Sequence, residues 1–293
     1  MKSTRAMQII DTHLHLMYPD TLRYAWAASV PELQGAATVE MFETLARPLG
    51  IERALMMEVD VDEPDIEAEI DVVGALVART DTCVEGMIAA CRPERPGTAF
   101  AAFVERLAAR PHVKGVRRVL HTSPDTLSAS QTFSDNLNRL AAQGLSFDLC
   151  VLARQLRGVA VPLAQRCPDL SIVLDHCGVP DIAGGALDAW RADLRAIAAL
   201  PNVSCKISGI VAYAGAGWTV ETLRPYFEHV IACFGWERVV WGSDWPVCRL
   251  GGDLARWVDA THALLHGCSA DEQAALLNRN AQRLYRLGSA SGV

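Results

Sequence analysis

The sequence predicts a closed (β/α)8 barrel, also called a TIM barrel, in which residues 1–293 form a single domain with an extra C-terminal helix. Short β-rich segments alternate with longer helical patterns along the chain, which is typical of a parallel sheet. Eight such units fit the length of the chain, because one β/α repeat takes about 30 residues. No glycine-rich dinucleotide fingerprint follows the first strand, so an open dinucleotide-binding sheet is disfavoured.

The predicted strands are short runs of apolar and β-branched residues. They cover residues 8–11, 52–59, 83–90, 113–120, 145–151, 171–174, 203–207 and 238–241. The predicted helices cover residues 39–49, 65–79, 98–110, 135–143, 156–166, 187–200 and 220–234, followed by 253–265 and 270–287. Arg79 at the end of one helix suits the helix dipole, and Gly144 is a C-cap signal for another. Residues 13–38 and 209–219 are predicted to be long loops.

The amino-acid composition of the chain limits the kinds of molecule that it is expected to bind. The formal net charge of −7 disfavours binding to nucleic acid or to an anionic membrane surface. No run approaches the roughly 18 continuous apolar residues of a membrane span, and the first residues lack the apolar core of a signal peptide. The nine cysteines form no CxxC pair, which favours reduced thiols. We therefore expect a cytoplasmic protein with a small-molecule substrate, which can form a homo-oligomer.

Polar residues at the carboxyl ends of the predicted strands are the candidates for chemistry, because active sites of such barrels are built there. His13 and His15 follow the first strand, His176 follows the sixth, and Asp244 follows the eighth. Residues two apart on an extended strand point to the same side, so His13 and His15 can both face the barrel axis. These four residues form the candidate catalytic centre.

Two modes of action are open for this centre. Three imidazoles and a carboxylate suit one divalent metal such as Zn²⁺, which would polarise a carbonyl group and acidify a bound water. Without metal, the imidazoles would instead donate hydrogen bonds to the carbonyl oxygen. In both modes Asp244 accepts the proton of the attacking water. The structural alternative is that the histidines are merely capped and solvated at strand ends.

Three motifs carry a resemblance to a known family. They are DTHLH at 11–15, LDHCGVP at 174–180 and VWGSDWP at 240–246, and GVRR at 115–118, GLSFDL at 144–149, PNVSCKISG at 201–209 and NAQRLY at 280–285 agree with them. Together and in this order they resemble the amidohydrolase superfamily, in particular its branch of L-fuconolactonase and 2-pyrone-4,6-dicarboxylate lactonase relatives. The resemblance implies a (β/α)8 barrel and hydrolysis of a lactone or related carbonyl compound. It also implies that His13, His15, His176 and Asp244 are the reaction centre, which some relatives use with one divalent metal and others without.

Five further residues are predicted to contact substrate: Arg117, His121, Trp245, Lys206 and Trp26. Adjacent strand residues face opposite sides, so one of Arg117 and Arg118 points into the barrel mouth. The family motif favours Arg117. A buried lysine needs a partner, so Lys206 is expected to reach Asp148 or a substrate group, and a structural ion pair is the alternative.

Each of the other candidate residues also has an alternative interpretation that involves no contact with substrate. His121 lies in a loop, where it can donate a hydrogen bond to substrate or remain solvated. Trp245 and Trp26 can wall the site or serve only in packing. Glu58, at the end of the second strand, is interpreted as a partner for one of the histidines or as a rim carboxylate.

The leading hypothesis is a lactone hydrolase, with a sugar-acid lactone such as a fuconolactone-like compound as the first substrate class. A 2-pyrone-4,6-dicarboxylate-like lactone is the second, and it would require convergent arginines. The candidates are Arg92, Arg117, Arg154 and Arg249. A metal-dependent decarboxylase on the same fold and a non-catalytic binding barrel are the remaining alternatives.

Overall fold

The computed structural model describes residues 8–288, and eight parallel strands form its centre. They are Ile9–Leu14 (β1), Ile51–Met57 (β2), Val84–Ala90 (β3), Val113–Val119 (β4), Ser146–Cys150 (β5), Ile172–Leu174 (β6), Val203–Ile207 (β7) and Val239–Trp241 (β8). Each strand pairs in parallel with the next along the chain. The predicted order of the strands is therefore confirmed.

The sheet closes between β1 and the residues that follow β8. The Asp244 amide donates to the His13 carbonyl at 2.8 Å, and the His15 amide donates to the Trp245 carbonyl at 2.8 Å. A parallel bridge between Leu14 and Trp245 lies beside these bonds. The fold is thus the predicted (β/α)8 barrel, and two of the candidate catalytic residues lie on its closing seam.

Helices surround the barrel; those before β8 connect consecutive strands, and the last three follow β8. They are Val39–Ala46 (α1), Ile66–Val77 (α2), Gly97–Ala108 (α3), Gln131–Ala142 (α4), Val161–Arg166 (α5), Asp188–Ala198 (α6), Ile210–Tyr213 (α7), Val220–Phe234 (α8), Leu254–Leu264 (α9), Ala270–Ala274 (α10) and Asn280–Leu284 (α11). None of the helices within residues 8–288 is long and apolar enough to cross a membrane.

Two predicted boundaries were wrong for identifiable reasons. The helix expected from residue 135 begins at Gln131, because the Ser130 hydroxyl accepts the Phe133 amide and acts as an N-cap. The segment 209–219, expected to be a loop, contains α7. The expected strand and helix boundaries elsewhere differ by only a few residues.

Two layers of apolar packing hold the barrel together. The larger layer fills the space between the sheet and the helices. The smaller layer lies inside the barrel, where Ile10, Leu55 and Val240 pack against Ala281 and Tyr285 of the C-terminal segment. The extra C-terminal helix therefore delivers side chains into the barrel interior, at the end opposite the catalytic residues.

Candidate active site

An irregularity in β1 turns both of its histidines inward. Ile9 packs in the larger apolar layer, outside the barrel, and Ile10 packs in the smaller layer inside it, as the alternation of strand side chains requires. The pairing register between β1 and β2 then shifts between Asp11 and Leu14. The Asp11 carboxylate accepts the amides of His13 at 3.0 Å and of Ser243 at 2.8 Å, which stabilises this local geometry.

His176 and Asp244 are oriented by unusual backbone conformations. Their φ angles are 53° and 57°, in the left-handed region that side-chain-bearing residues rarely adopt. Such positions are retained where the surrounding structure holds them and are common at functional sites. Gly209 lies against both residues, and a Cβ there would come within 2.4 Å of His176 Nδ1 and 3.0 Å of Asp244 Oδ2. Only glycine leaves room for the two side chains.

The four predicted catalytic residues meet at one point. The Nε2 atoms of His13 and His15 lie 3.2 Å apart, and they lie 3.7 Å and 3.4 Å from Asp244 Oδ1. The candidate ligand atoms of His13, His176 and Asp244 all lie within 4.8 Å of one another. Asp244 Oδ2 is buried and has no hydrogen-bond partner among residues 8–288. The sequence prediction that these residues converge agrees with this geometry.

In both β1 histidines, Nδ1 is the outer nitrogen, which points away from the reaction centre, and it faces a hydrogen-bond acceptor. His15 Nδ1 lies 3.1 Å from the Met57 carbonyl oxygen, which can only accept, so His15 Nδ1 carries the hydrogen. His13 Nδ1 lies 3.4 Å from Asp175 Oδ1. Burial would raise the pKa of Asp175, but the Lys206 ammonium group outweighs it and holds this pKa well below its ordinary value. Asp175 is therefore an acceptor as well.

These contacts determine whether Nε2, the ring nitrogen that points into the reaction centre, carries a hydrogen or a lone pair. A neutral imidazole that donates from Nδ1 has its lone pair on Nε2. Burial lowers the pKa of His13 well below its ordinary value, and Lys206 lowers it further. Two nitrogen lone pairs and a carboxylate oxygen then face one another across less than 4 Å, an arrangement that a cation between them would stabilise. The donor set therefore fits a divalent metal such as Zn²⁺.

A cavity of about 280 Å³ opens above this centre. Its floor contains His15, His176 and Asp244, and apolar side chains including Met17 and Trp26 form part of its wall. The Trp26 indole donates to the Val59 carbonyl at 2.7 Å, which fixes the ring in place. The volume is near the lower limit of small-molecule sites, about 300–1,000 Å³.

Arg117 lines the cavity, but its guanidinium is already engaged. Arg117 Nε donates to the Glu58 carboxylate at 2.5 Å, and Nη2 donates to the Glu58 carbonyl at 2.7 Å. Arg118 points away and binds Glu94. Neither interpretation of Glu58 was right. Glu58 binds Arg117 and not a histidine, because His15 uses the Met57 carbonyl instead, and it is buried and not an exposed rim carboxylate.

His121 lines the same cavity and contacts a thiol. His121 Nδ1 lies 3.0 Å from Cys150 Sγ. Burial, followed by the charge of Arg117, lowers the pKa of His121 to about 4. Because burial also strongly raises the pKa of the Cys150 thiol, the pair is neutral, and the thiol is the donor to Nδ1. His121 Nε2 then carries the hydrogen.

Two predicted substrate contacts lie outside the cavity lining. Trp245 is buried and packs against Phe42, with ring centroids 5.5 Å apart. Lys206 is fully buried inside the barrel, where Nζ lies 3.2 Å from both Asp148 Oδ2 and Asp175 Oδ1. For both residues the geometry matches the structural alternative, because neighbouring side chains cover them completely.

Sequence reasoning missed several residues of the site. Asp175 belongs to the LDHCGVP motif but was given no role, and Cys150 and Asp60 were not placed in the cavity. Tyr213 lies on α7 and lines the cavity, with its ring 6.1 Å from that of His176. The small-residue composition of the surrounding segment concealed this position, although Tyr213 is the first aromatic residue after β7 and was a usable signal.

The fold and site together define a barrel enzyme with a histidine- and aspartate-rich centre suited to hydrolysis at a polarised carbonyl group. The amidohydrolase family matches residues 10–287, and the chain therefore belongs to that family. The L-fucono-1,5-lactonase of Burkholderia ambifaria is 31% identical over 261 residues, 85% of each chain. The 4-sulfomuconolactone hydrolase of Rhizobium radiobacter is 27% identical over 240 residues, 80% of this chain and 75% of that one. An amidohydrolase from Burkholderia multivorans, solved with bound zinc, has a TM-score of 0.85 at 26% identity, covering 96% of this chain and 100% of that one.

Proposed function

We propose that the protein hydrolyses a lactone, with a sugar-acid lactone as the preferred substrate class. The observation that carries this proposal is the Asp244 carboxylate, buried beside three imidazoles on the cavity floor with Oδ2 free of hydrogen bonds among the described residues. A carboxylate in this position can accept a proton from a water molecule in the cavity. The lactonase relative at 31% identity supports the same reaction.

In the proposed reaction, Asp244 accepts one proton from water while the water oxygen bonds to the lactone carbonyl carbon. The tetrahedral intermediate then collapses, and the bond between this carbon and the ring oxygen breaks. Asp244 returns its proton to the departing ring oxygen, which becomes a hydroxyl group. The new carboxylic acid ionises, so each turnover releases one proton to solution.

His13, His15, His176 and Asp244 would hold one divalent metal, for which Zn²⁺ fits the donor set. The metal would supply polarisation of the carbonyl oxygen and a lower pKa for the attacking water. The facing lone pairs of His13 and His15 favour this mode over direct hydrogen bonding, because neither ring has an Nε2 hydrogen to donate in its neutral state. His176 has the Ser208 hydroxyl 3.0 Å from Nδ1, which orients its ring.

The cavity wall supports recognition of a small polyhydroxylated ring. His121 would donate its Nε2 hydrogen to a substrate oxygen, and Asp60 would accept from a hydroxyl group. Trp26 would pack against the ring face. Arg117 would offer Nη1, the part of its guanidinium that Glu58 does not bind.

The charges in the cavity favour a substrate without several acidic groups. Arg117 is the one arginine that lines it within residues 8–288, and Glu58 compensates its charge. The other arginine candidates are engaged elsewhere or exposed: Arg92 faces Asp60 and Glu63, Arg154 binds Asp125, and Arg249 lies on the surface. The proposed metal would offset the charge of Asp244, but the cavity wall still lacks the convergent arginines that two substrate carboxylates would require, and Asp60 adds negative charge there.

The test is a screen of sugar-acid and dicarboxylate lactones with a pH indicator, run with purified protein and with the Asp244→Asn variant. We expect sugar-acid lactones to be opened, and kcat of the variant to fall by about 10²–10⁴-fold with little change in KM. Asp71→Asn is the matched control, because Asp71 is an exposed carboxylate that binds Arg110 on the protein surface. Hydrolysis by Asp244→Asn at the control rate would rule out Asp244 as the base.

A further inference from the structure

A continuous column of buried polar groups runs through the barrel interior to the active site. The Tyr285 hydroxyl donates to Asp148 at 3.0 and 3.1 Å, and Lys206 Nζ donates to Asp148 Oδ2 at 3.2 Å. Lys206 Nζ also lies 3.2 Å from Asp175 Oδ1, and Asp175 Oδ1 lies 3.4 Å from His13 Nδ1. All five side chains are fully buried. The column thus links the C-terminal segment to a histidine of the reaction centre.

Packing alone does not require such a column. Burying an ion pair costs desolvation free energy that its mutual attraction often fails to exceed, so apolar residues of similar size would stabilise a barrel interior at least as well. The inner apolar layer directly surrounds the column and shows that such residues fit there. The distinctive property of the column is its end point, the outer nitrogen of His13.

Asp175 is held so that it can only accept hydrogen bonds. Its Oδ1 faces the Lys206 ammonium group, and its Oδ2 lies 3.8 Å from Arg117 Nη1. With a cation beside each oxygen, the carboxylate remains ionised and keeps its position. His13 Nδ1 lies 3.4 Å from Asp175 Oδ1 and has no hydrogen-bond partner among residues 8–288, so this carboxylate is its nearest charged acceptor and favours a hydrogen on Nδ1.

We propose that Asp175, fixed by Lys206, is a positioning residue that keeps His13 in the Nδ1–H tautomer and directs the Nε2 lone pair to the reaction centre. Carboxylate partners of this type set the tautomer and orientation of metal-binding histidines. The proposal rests on the proposed function only for the use made of that lone pair. The tautomer is a property of the resting protein.

The tautomer can be read directly by ¹⁵N NMR of protein labelled at its histidine ring nitrogens, after chelator treatment so that metal does not dictate the result. A His13→Gln spectrum assigns the His13 signals. In the wild type we expect a protonated Nδ1 and an unprotonated Nε2. A His13 signal with hydrogen on Nε2 in the wild type would overturn the proposal without any variant being made.

Asp175→Leu removes the acceptor that Lys206 Nζ and His13 Nδ1 share, Asp175 Oδ1, and leaves a side chain of similar size. His13 Nδ1 then faces a methyl group, while His13 Nε2 lies 3.2 Å from His15 Nε2, whose lone pair can accept a hydrogen bond. The His13 hydrogen therefore moves to Nε2. We expect the NMR signals to show this change, and Zn²⁺ affinity, measured by competition with a chromophoric chelator, to fall by about 10–100-fold.

Asp148→Leu is the matched control. It removes an equally buried carboxylate 3.2 Å from the same lysine, but leaves Asp175 in place beside His13. We expect the wild-type tautomer and the wild-type Zn²⁺ affinity. If both variants change the tautomer, loss of buried charge in general is responsible, and the assignment to Asp175 fails. If Asp175→Leu keeps Nδ1–H, the proposal also fails. Absence of lactone hydrolysis would refute the proposed function and leave these results standing.

Discussion

Gly209→Ala is expected to damage catalysis through a contact of known geometry. The new methyl group would lie 2.4 Å from His176 Nδ1, whereas ordinary contacts begin at 3.4 Å, so the imidazole must retreat by about 1 Å. A misplacement of about 1 Å at a catalytic group can cost about 10²-fold in rate. Asp244 Oδ2, at 3.0 Å from the same methyl group, is also displaced. We therefore expect kcat for lactone opening to fall by about 10²-fold.

The same substitution also strains the backbone, and a control separates the two effects. Gly209 has φ +66°, which costs alanine about 1–2 kcal/mol. Gly215 has φ +73° in the same connection, and a Cβ there meets nothing within 4 Å. Gly215→Ala should therefore show a similar loss in urea unfolding while kcat is retained. Equal kcat values for the two variants would refute the steric argument.

Two further predictions concern metal and pH. Removal of metal by a chelator should abolish lactone hydrolysis and Zn²⁺ should restore it, and full activity of verified metal-free protein would contradict the argument from facing lone pairs. Burial raises the pKa of Asp148 from 3.8 to about 7, although Lys206 opposes the shift. The folded chain then keeps a proton that the unfolded chain releases, so this group's contribution to stability is present below about pH 4 and lost as the pH rises through about 7. The free energy of unfolding, measured with urea across this range, should fall less steeply with pH in Asp148→Asn than in the wild type. Identical slopes would assign the pH dependence of stability to another group.

The sequence predicted the location of the site better than the orientation of its side chains. Alternating strand and helix patterns placed His13, His176 and Asp244 at the carboxyl ends of strands, and the barrel brings such ends together whatever the local backbone does. The inward direction of both β1 histidines depends on the irregularity after Asp11. Nothing in the alternation of residues predicts that irregularity.

Interactions between distant strands were the least accessible to sequence reasoning. Lys206 was recognisable as a costly charge in an apolar strand, and Asp148 was named as one possible partner. Its second partner, Asp175, and the hydroxyl of Tyr285 come from other parts of the chain. Their joint effect on His13 follows only from three-dimensional distances, because each residue taken alone fits an ordinary core or loop position.

Residues on the regular strands and residues with left-handed backbone conformations contribute differently to the site. Arg117 and Lys206 lie on regular strands, and both bind carboxylates that hold the surroundings of the centre. His176 and Asp244 have left-handed backbones, each at a cost of about 1–3 kcal/mol. The closing hydrogen bond from the Asp244 amide to the His13 carbonyl offsets part of that cost, since it joins the strained residue to the sheet. The seam that completes the barrel is therefore also the element that holds the proposed base against its histidines, so a substitution that opens this seam should reduce stability and activity together.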